Sequence, residues 1–249
     1  MKALLALILS LGFCASLFAE QASIESEFDA GNRAFDDHKY LEARQHYEAL
    51  VSQGVRTPNV FYNLGSANHQ IGADGLAMLN YERALALDPH HRDAFAALDL
   101  VRKSSSAKVP VRDWRQSGLA LLSFDQWAIV ASAAGWLAVF TLLLAIARRR
   151  PMRFAARSLF ILSLLVAAGA GAACWLKKGE LNAAVIVAKQ VEARLAPADR
   201  AALADTLPSG SRVQWLSERS GWVECRLPSG SLAWVPASSV ERIRLSGSS

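Results

Sequence analysis

The pattern of apolar and polar positions divides the chain into segments of three kinds. Apolar residues recur at helical spacing over residues 24–103, and two long, nearly uninterrupted apolar runs follow at 126–147 and 158–176. From about Ala183 onward, short alternating segments are separated by turns containing glycine and serine, which is typical of β-strands. The sequence therefore predicts a multidomain membrane protein with an all-α domain, a pair of transmembrane helices and an all-β domain.

Residues 1–19 have the features of a secretory signal peptide. One lysine is followed by an apolar stretch and then by small residues before Glu20, a pattern that predicts cleavage after Ala19. An uncleaved anchor is the alternative, and it leaves the following domain on the same side of the membrane. A lipid anchor at Cys14 is not expected, because Phe13 stands where a lipidation motif has a small residue.

The two apolar runs, 126–147 and 158–176, predict a transmembrane hairpin, since about 20 apolar residues span the hydrocarbon core. Small residues at four-residue spacing allow the helices to pack on each other or on another membrane protein. Five arginines are assigned to the loop 148–157: Arg148, Arg149, Arg150, Arg153 and Arg157. Short basic loops stay in the cytoplasm, so the domains on both sides of the hairpin are predicted to be periplasmic, anchored in a bacterial inner membrane.

Residues 24–57 and 58–91 align with each other at a period of 34 residues. Small and aromatic residues recur in equivalent positions: Gly31 and Gly65, Ala43 and Ala77, Tyr47 and Tyr81. This period and pattern resemble tetratricopeptide repeats, whose small residues leave space for an aromatic ring on the facing helix. The resemblance implies a repeat domain over 20–103 with a capping helix at 92–103. Thr57 and Pro58 are predicted to begin the first helix of the second repeat.

Tetratricopeptide repeats present a concave groove to a peptide or a partner helix. Their usual geometry implies six candidate partner-binding residues: Asn32, Asn59, Tyr62, Ser66, His69 and Asp93. Phe28 and Phe35 either line the groove or complete the small core. Repeats that clamp a C-terminal carboxylate need lysines and asparagines where this chain has Phe28 and Ala96, so that mode of binding is not expected.

The C-terminal segment, 177–249, is similar to bacterial SH3-like domains over residues 185–244. The residues that match the family pattern are Gly210, Val213, Gly221, Trp222, Cys225, Gly230, Trp234 and Val235. The resemblance implies a small all-β barrel. Trp222 and Trp234 are expected in its core rather than stacked on a ligand. Cys225 is expected to be a buried apolar residue, because no histidine that could activate it follows His91.

Charge and composition argue against several functions. The net charge is +5, and the arginine loop alone accounts for it, so nucleic-acid binding is not expected. The three cysteines and five histidines form no ligand set, and the histidines are interpreted as surface and turn residues. Neither a metal nor a cofactor is therefore expected. The sequence contains no Ser-His-Asp set, paired carboxylates or phosphate loop, so we do not expect an enzyme.

The order of these parts resembles that of BatE-type proteins from bacterial aerotolerance (Bat) operons. This resemblance rests on domain order over nearly the whole chain. It implies an inner-membrane assembly with von Willebrand A-type membrane proteins and a MoxR-type ATPase.

Two hypotheses of function follow. One is a scaffold whose periplasmic repeats bind protein partners, and the other is a cell-wall sensor or tether whose SH3-like domain binds peptidoglycan. The linker, 104–125, is expected to let the repeat domain swing above the membrane.

Overall fold

The computed structural model describes residues 21–109, 122, 124–147, 154–177 and 182–244. The predicted signal peptide, most of the linker and four loop arginines lie outside these residues: Arg148, Arg149, Arg150 and Arg153. The described residues form seven α-helices, a short 3-10 helix at Ala237–Ser239 and a seven-stranded antiparallel sheet. At this level, the predicted combination of helices, two of them long and apolar, with an antiparallel sheet is confirmed.

Five helices form the first part of the structure, which we call the helical unit: α1 over 21–36, α2 Tyr40–Ser52, α3 Pro58–Gln70, α4 Asp74–Leu87 and α5 Arg92–Ser105. The predicted start of α3 is confirmed, because Pro58 is its first residue and the Thr57 hydroxyl accepts a hydrogen bond from the Val60 N–H at 3.3 Å. Helix α5, which the sequence predicts to be a capping helix, continues to Ser105, past its predicted end at residue 103.

A glycine–tyrosine contact joins α1 to α2 and recurs between α3 and α4. A Cβ added to Gly31 would lie 2.7 Å from the Tyr47 ring, and one added to Gly65 would lie 2.7 Å from the Tyr81 ring. The two rings are only 1% and 2% exposed. Because glycine has no Cβ, it allows this close approach. The two helical pairs therefore pack in the same way, at the 34-residue spacing present in the sequence.

Two further helices, α6 Phe124–Ala147 and α7 Phe154–Lys177, pack along each other. Both are long and apolar enough to cross a membrane, with mean hydropathies of 2.3 and 2.2 over their most apolar windows. Helix α7 begins before the predicted boundary at residue 158. Arg157, assigned to the loop from the sequence, is therefore in the first turn of α7.

The seven strands belong to one antiparallel sheet: β1 Ala183–Ile186, β2 Gln190–Arg194, β3 Leu203–Pro208, β4 Arg212–Arg219, β5 Trp222–Arg226, β6 Leu232–Pro236 and β7 Val240–Arg242. Their spatial order is β3-β2-β6-β5-β4-β1-β7, so β3 and β7 are edges and the sheet is not the closed barrel that we expected. Strand β7 has only three residues. At its end, the carbonyls of Arg242 and Ile243 accept hydrogen bonds from Arg83 of α4 rather than from another strand.

Small apolar residues fill the core of the sheet. Those on β5 and β6 are each at most 1% exposed: Val223, Cys225, Ala233 and Val235. Trp222 and Trp234 alternate with them and are only half-buried. The expectation that both tryptophans form the core was wrong, because successive side chains point to opposite faces of a strand. Smaller residues occupy the inner positions, and Cys225 is buried among them as expected.

Candidate functional site

The first candidate site is the surface of the helical unit where the sequence predicts a groove, and we call it the helical groove. Half-buried side chains of α1 and α3 line it, together with two tyrosine hydroxyls that reach it from α2 and α4: Asn32, Tyr62, Asn63, Ser66, Tyr47 and Tyr81. The hydroxyls reach the groove because each ring is held against a glycine on the facing helix. The packing that stabilises the helical pairs therefore also supplies polar groups to the groove.

One layer of the helical groove is built on the side-chain oxygen of Asn32. The Tyr47 hydroxyl donates to this oxygen at 2.8 Å, and the Asn63 amide donates to it at 2.9 Å. Burial raises the pKa of Tyr47 to about 12, so its hydroxyl remains a donor at neutral pH. These two bonds orient the Asn32 amide, whose NH₂ group adds two donors to this layer.

The neighbouring layer of the helical groove is mainly aromatic. The Tyr62 ring lies 6.0 Å from the Tyr81 ring and 5.2 Å from the His91 ring. The Tyr81 hydroxyl donates to Ser66 Oγ at 3.3 Å, and burial raises the Tyr81 pKa. His91 is fixed from its other side, because its Nδ1 accepts the Ala94 N–H at the start of α5. The groove thus combines amide groups with aromatic surface.

The six residues predicted from the sequence are not all in one network. Asn32, Tyr62 and Ser66 belong to the two layers, and Asn59 Oδ1 lies at the rim, 3.3 Å from His91 Nε2. His69 instead pairs with Asp74 across the turn between α3 and α4, at 2.8 Å. Asp93 is exposed in the first turn of α5. His69 and Asp93 therefore lie outside both layers.

Three residues of the helical groove were missed or misread in the sequence. Asn63 was not among the predicted residues. It directly follows Tyr62 on α3, the first helix of the second pair, and polar residues on such a helix indicate a binding groove. Tyr47 was assigned to packing alone, and its hydroxyl contributes as well. His91 was interpreted as a surface or turn residue, whereas it caps α5 and lies against Tyr62.

Phe28 and Phe35, left open between groove and core, both pack on the buried cluster of the first helical pair. The Phe28 ring lies 6.0 Å from the Tyr47 ring, and the Phe35 ring lies edge-on to Tyr40 at 5.2 Å. These contacts favour the interpretation that the two phenylalanines complete the core.

The second candidate site is an open groove on the sheet, with a volume of about 280 Å³, which we call the sheet groove. Charged, aromatic and cyclic side chains contribute to its lining: Glu192, Arg194, Asp199, Trp222 and Pro236. Ser220 and Gly221 form the two-residue turn from β4 to β5, with φ of 51° and 79°. Positive φ at both positions is typical of tight hairpins, and this turn places Trp222 at the start of β5.

The Arg194 guanidinium is held in place inside the sheet groove. It donates to the Glu192 carboxylate at 2.5 Å and to the Ala201 carbonyl at 2.7 Å. The groove therefore offers an aromatic surface, Trp222, beside charged groups of both signs. This combination suits a short ligand that carries both amino and carboxyl groups.

Neither groove contains an activated nucleophile among the residues described above. Burial raises the pKa of the Cys225 thiol to about 12, so this thiol stays protonated and inert in the core of the sheet. Within the described ranges, no group of three or more His, Cys, Asp or Glu side chains is placed to hold a metal ion. The chemistry that the two grooves offer is hydrogen bonding, aromatic contact and charge pairing.

No protein-family model matches the chain, and a search of curated proteins finds no match either.

Proposed function

We propose that the protein is a membrane-anchored adaptor, without catalytic activity, that holds a protein partner in the helical groove. The observation that carries this proposal is the continuous row of amide and aromatic groups across α1 and α3, from Asn32 and Asn63 to Tyr62. Amide side chains bond to peptide backbone groups, and aromatic rings add apolar contact area. Such a surface suits an extended or helical segment of another protein.

In this proposal the helical unit is a short tetratricopeptide array. The support is the recurrence of the Gly31–Tyr47 contact as Gly65–Tyr81, which gives two helical pairs the same internal packing. Arrays of this kind bind partners on the surface formed by the first helix of each pair. In this chain, that surface is the one that carries the helical groove.

The same proposal places the helical groove in the periplasm of a bacterial inner membrane. Two apolar helices provide the anchor, and the arginine-rich segment between them favours a cytoplasmic loop. The resemblance in layout to BatE-type proteins suggests the partners, which are von Willebrand A-type membrane proteins in an assembly with a MoxR-type ATPase.

Site-specific photo-crosslinking of the full-length protein in intact cells tests the adaptor proposal. A crosslinking residue in place of Ser66 should capture a von Willebrand A-type membrane protein, identified by mass spectrometry. The same residue in place of Gln45, which is exposed on α2, is the matched control and should not capture it. Replacing Tyr62 and Asn63 together by alanine should abolish capture from position 66. Equal capture from both positions, or none from position 66, would contradict the proposal.

A second candidate function is peptidoglycan binding by the sheet groove, and the position of Trp222 favours it. This tryptophan is half-buried beside Glu192, Arg194 and Asp199 rather than in the core. Stem peptides of peptidoglycan carry amino and carboxyl groups, which these charged side chains are able to pair with.

Sedimentation of the full-length protein with purified sacculi tests this second candidate. Trp222→Ala should reduce the bound fraction, and Leu203→Ala on the exposed side of β3 should leave it unchanged. Absence of the unchanged protein from the pellet would contradict peptidoglycan binding and leave the adaptor proposal standing.

A further inference from the structure

The sheet covers the face of α4 that points away from the helical groove. Leu79 is fully buried there, in one apolar cluster with Ala183, Val185 and Ile243. Tyr81 reaches the groove from the opposite face of the same helix, since residues two apart on a helix point about 200° apart. One helix therefore serves both the groove and the contact with the sheet.

Arg83 of α4 is buried in this contact, with its side chain only 10% exposed. Its guanidinium donates to the carbonyls of Arg242 at 3.1 Å and Ile243 at 3.3 Å, and to the Glu241 carboxylate at 3.2 Å. Burial lowers the pKa of Arg83, and the Glu241 carboxylate acts in the opposite direction. A buried cation of this kind requires its partners, and the principal ones here belong to the sheet.

The fit between α4 and the sheet depends on a glycine at the start of the helix. A Cβ added to Gly75 would lie 2.5 Å from the Val187 carbonyl oxygen and 2.6 Å from the Ser209 hydroxyl. The helix backbone approaches the chain after β1 this closely only because Gly75 has no side chain. At a second point, the Met78 side chain packs against Gly210, in the turn between β3 and β4.

The segment after α5 is also attached to the sheet. The Lys108 carbonyl accepts the Arg212 N–H at 2.9 Å, and the Lys108 ammonium lies 2.8 Å from the Asp205 carboxylate. Lys108 belongs to the linker that was expected to let the helical domain swing. Its contacts instead fix the end of the helical unit beside β3 and β4.

The end of β7 also contacts the first membrane helix. Arg244 donates to the Asp125 carboxylate at 2.6 Å, and its guanidinium carbon lies 5.5 Å from the centre of the Phe124 ring. Both partners are in the first turn of α6. Residues 241–244 therefore touch α4 on one side and the start of the membrane hairpin on the other.

We propose that the face of α4 that carries Leu79 and Arg83 is an intramolecular docking surface for the sheet, and that Arg83 makes its principal polar contacts. The helical unit, the sheet and the start of α6 then form one body on one side of the membrane. A hairpin of two membrane crossings permits this, because it returns the chain to the side from which it entered. The helical groove stays open in this body, so docking holds it at a fixed orientation to the membrane without competing for the partner.

Cleavage of the linker in the full-length protein, reconstituted in lipid nanodiscs, tests the docking surface. With residues 1–19 removed, a protease site introduced between residues 110 and 121 would leave the helical unit attached by the docked contacts alone. We expect the cut fragment to elute with the nanodisc in size-exclusion chromatography. Arg83→Glu should release it, with a dissociation constant raised at least about a hundredfold, because it removes one side of a buried charged contact.

Two further variants separate docking from folding. Gly75→Ala should also release the fragment, because its Cβ would clash with the Val187 carbonyl oxygen. Alanine has a higher helix propensity than glycine, so the substitution should not weaken α4 itself. Adding Glu241→Arg to Arg83→Glu should restore part of the retention by exchanging the two charges.

Arg44→Glu is the matched control, since it makes the same charge change on α2, where Arg44 pairs with Glu48 of its own helix, and it should retain the fragment. Release of the unchanged fragment upon cleavage would overturn the proposal. Retention of the Gly75→Ala and Arg83→Glu fragments, or equal release of the Arg44→Glu fragment, would overturn it as well.

Discussion

Aromatic residues occupy opposite positions in the helical unit and in the sheet. Tyr47 and Tyr81 are almost fully buried, each against a glycine on the facing helix. In the sheet, Trp222 and Trp234 are half-buried, and residues no larger than valine fill the inner positions beside them. The comparison shows two ways in which aromatic residues contribute to a candidate site. In the helical unit, a buried tyrosine ring carries its hydroxyl to the helical groove. In the sheet, the half-buried Trp222 ring itself lines the sheet groove.

The largest expected difference in stability is between truncating a buried aromatic residue of the helical unit and truncating a half-buried one of the sheet. Tyr81→Ala should destabilise the helical unit by about 3–5 kcal/mol, as expected for a large side chain removed from a packed core. Trp222→Ala should cost about 1 kcal/mol or less, because that side chain is half outside the core. Chemical denaturation of the full-length variants in detergent, followed by circular dichroism, measures both. Equal losses would show that the two regions do not differ in this way.

Alkaline pH should weaken both regions, through Tyr47 and Tyr81 in the helical unit and through Cys225 in the sheet, because burial raises the pKa of all three groups. The pKa is raised from 10.0 to about 12 for Tyr47 and from 9.0 to about 12 for Cys225, by burial in both cases. The unfolded chain therefore loses these protons at lower pH than the folded chain does. Stability should fall as pH rises above about 9 for the sheet and above about 10 for the helical unit, by up to about 1.4 kcal/mol per pH unit for each group.

Thiol labelling and hydrogen exchange separate these two alkaline steps. With Cys14 and Cys174 replaced by alanine, Cys225 reports on the sheet by its rate of labelling between pH 8 and 11. Hydrogen exchange of α2 reports on the helical unit over the same range. Tyr47→Phe should reduce the alkaline component in α2, leaving the part that Tyr81 contributes, and should leave the labelling of Cys225 unchanged. Fast labelling of Cys225 at pH 8 would contradict its burial.

Much of the helical unit follows from the sequence, because its packing is local and periodic. The 34-residue spacing of Gly31 with Gly65 and of Tyr47 with Tyr81 is enough to predict which helices pack together. The start of α3 is marked by Thr57. Strand alternation was equally visible in the sheet, yet it does not reveal which face of a strand is buried, and for this reason Trp222 was assigned to the wrong face.

The contact between the helical unit and the sheet could not be predicted. Met78 and Leu79 look like ordinary core residues of an amphipathic helix, and Arg83 looks like a solvated cation. Their partners in the sheet lie more than a hundred positions further along the chain, and no periodicity links residues at that separation. Contacts of this kind form between two folded units, and a local sequence pattern does not encode them.

The next largest loss of stability is expected from changing the glycine in a glycine–tyrosine contact between paired helices. Gly65→Ala should destabilise the helical unit by about 1–3 kcal/mol, because its Cβ would lie 2.7 Å from the Tyr81 ring in a packed core. Combining it with Tyr81→Leu should recover part of the loss, giving a double-mutant cycle with measurable coupling. Strictly additive losses would mean that Gly65 and Tyr81 do not constrain each other.

The smallest expected effect isolates the hydroxyl that reaches the helical groove. Tyr47→Phe keeps the buried ring and removes the 2.8 Å bond to Asn32, which should cost about 0.5–1.5 kcal/mol. Tyr40→Phe is the matched control, because the Tyr40 hydroxyl bonds to exposed His38, and it should change stability by about 0.5 kcal/mol or less. If the hydroxyl also positions the Asn32 amide for the partner, Tyr47→Phe should lower crosslinking from position 66 beyond its small effect on stability. Unchanged crosslinking would limit Tyr47 to a packing role and leave the groove to Asn63 and the aromatic layer.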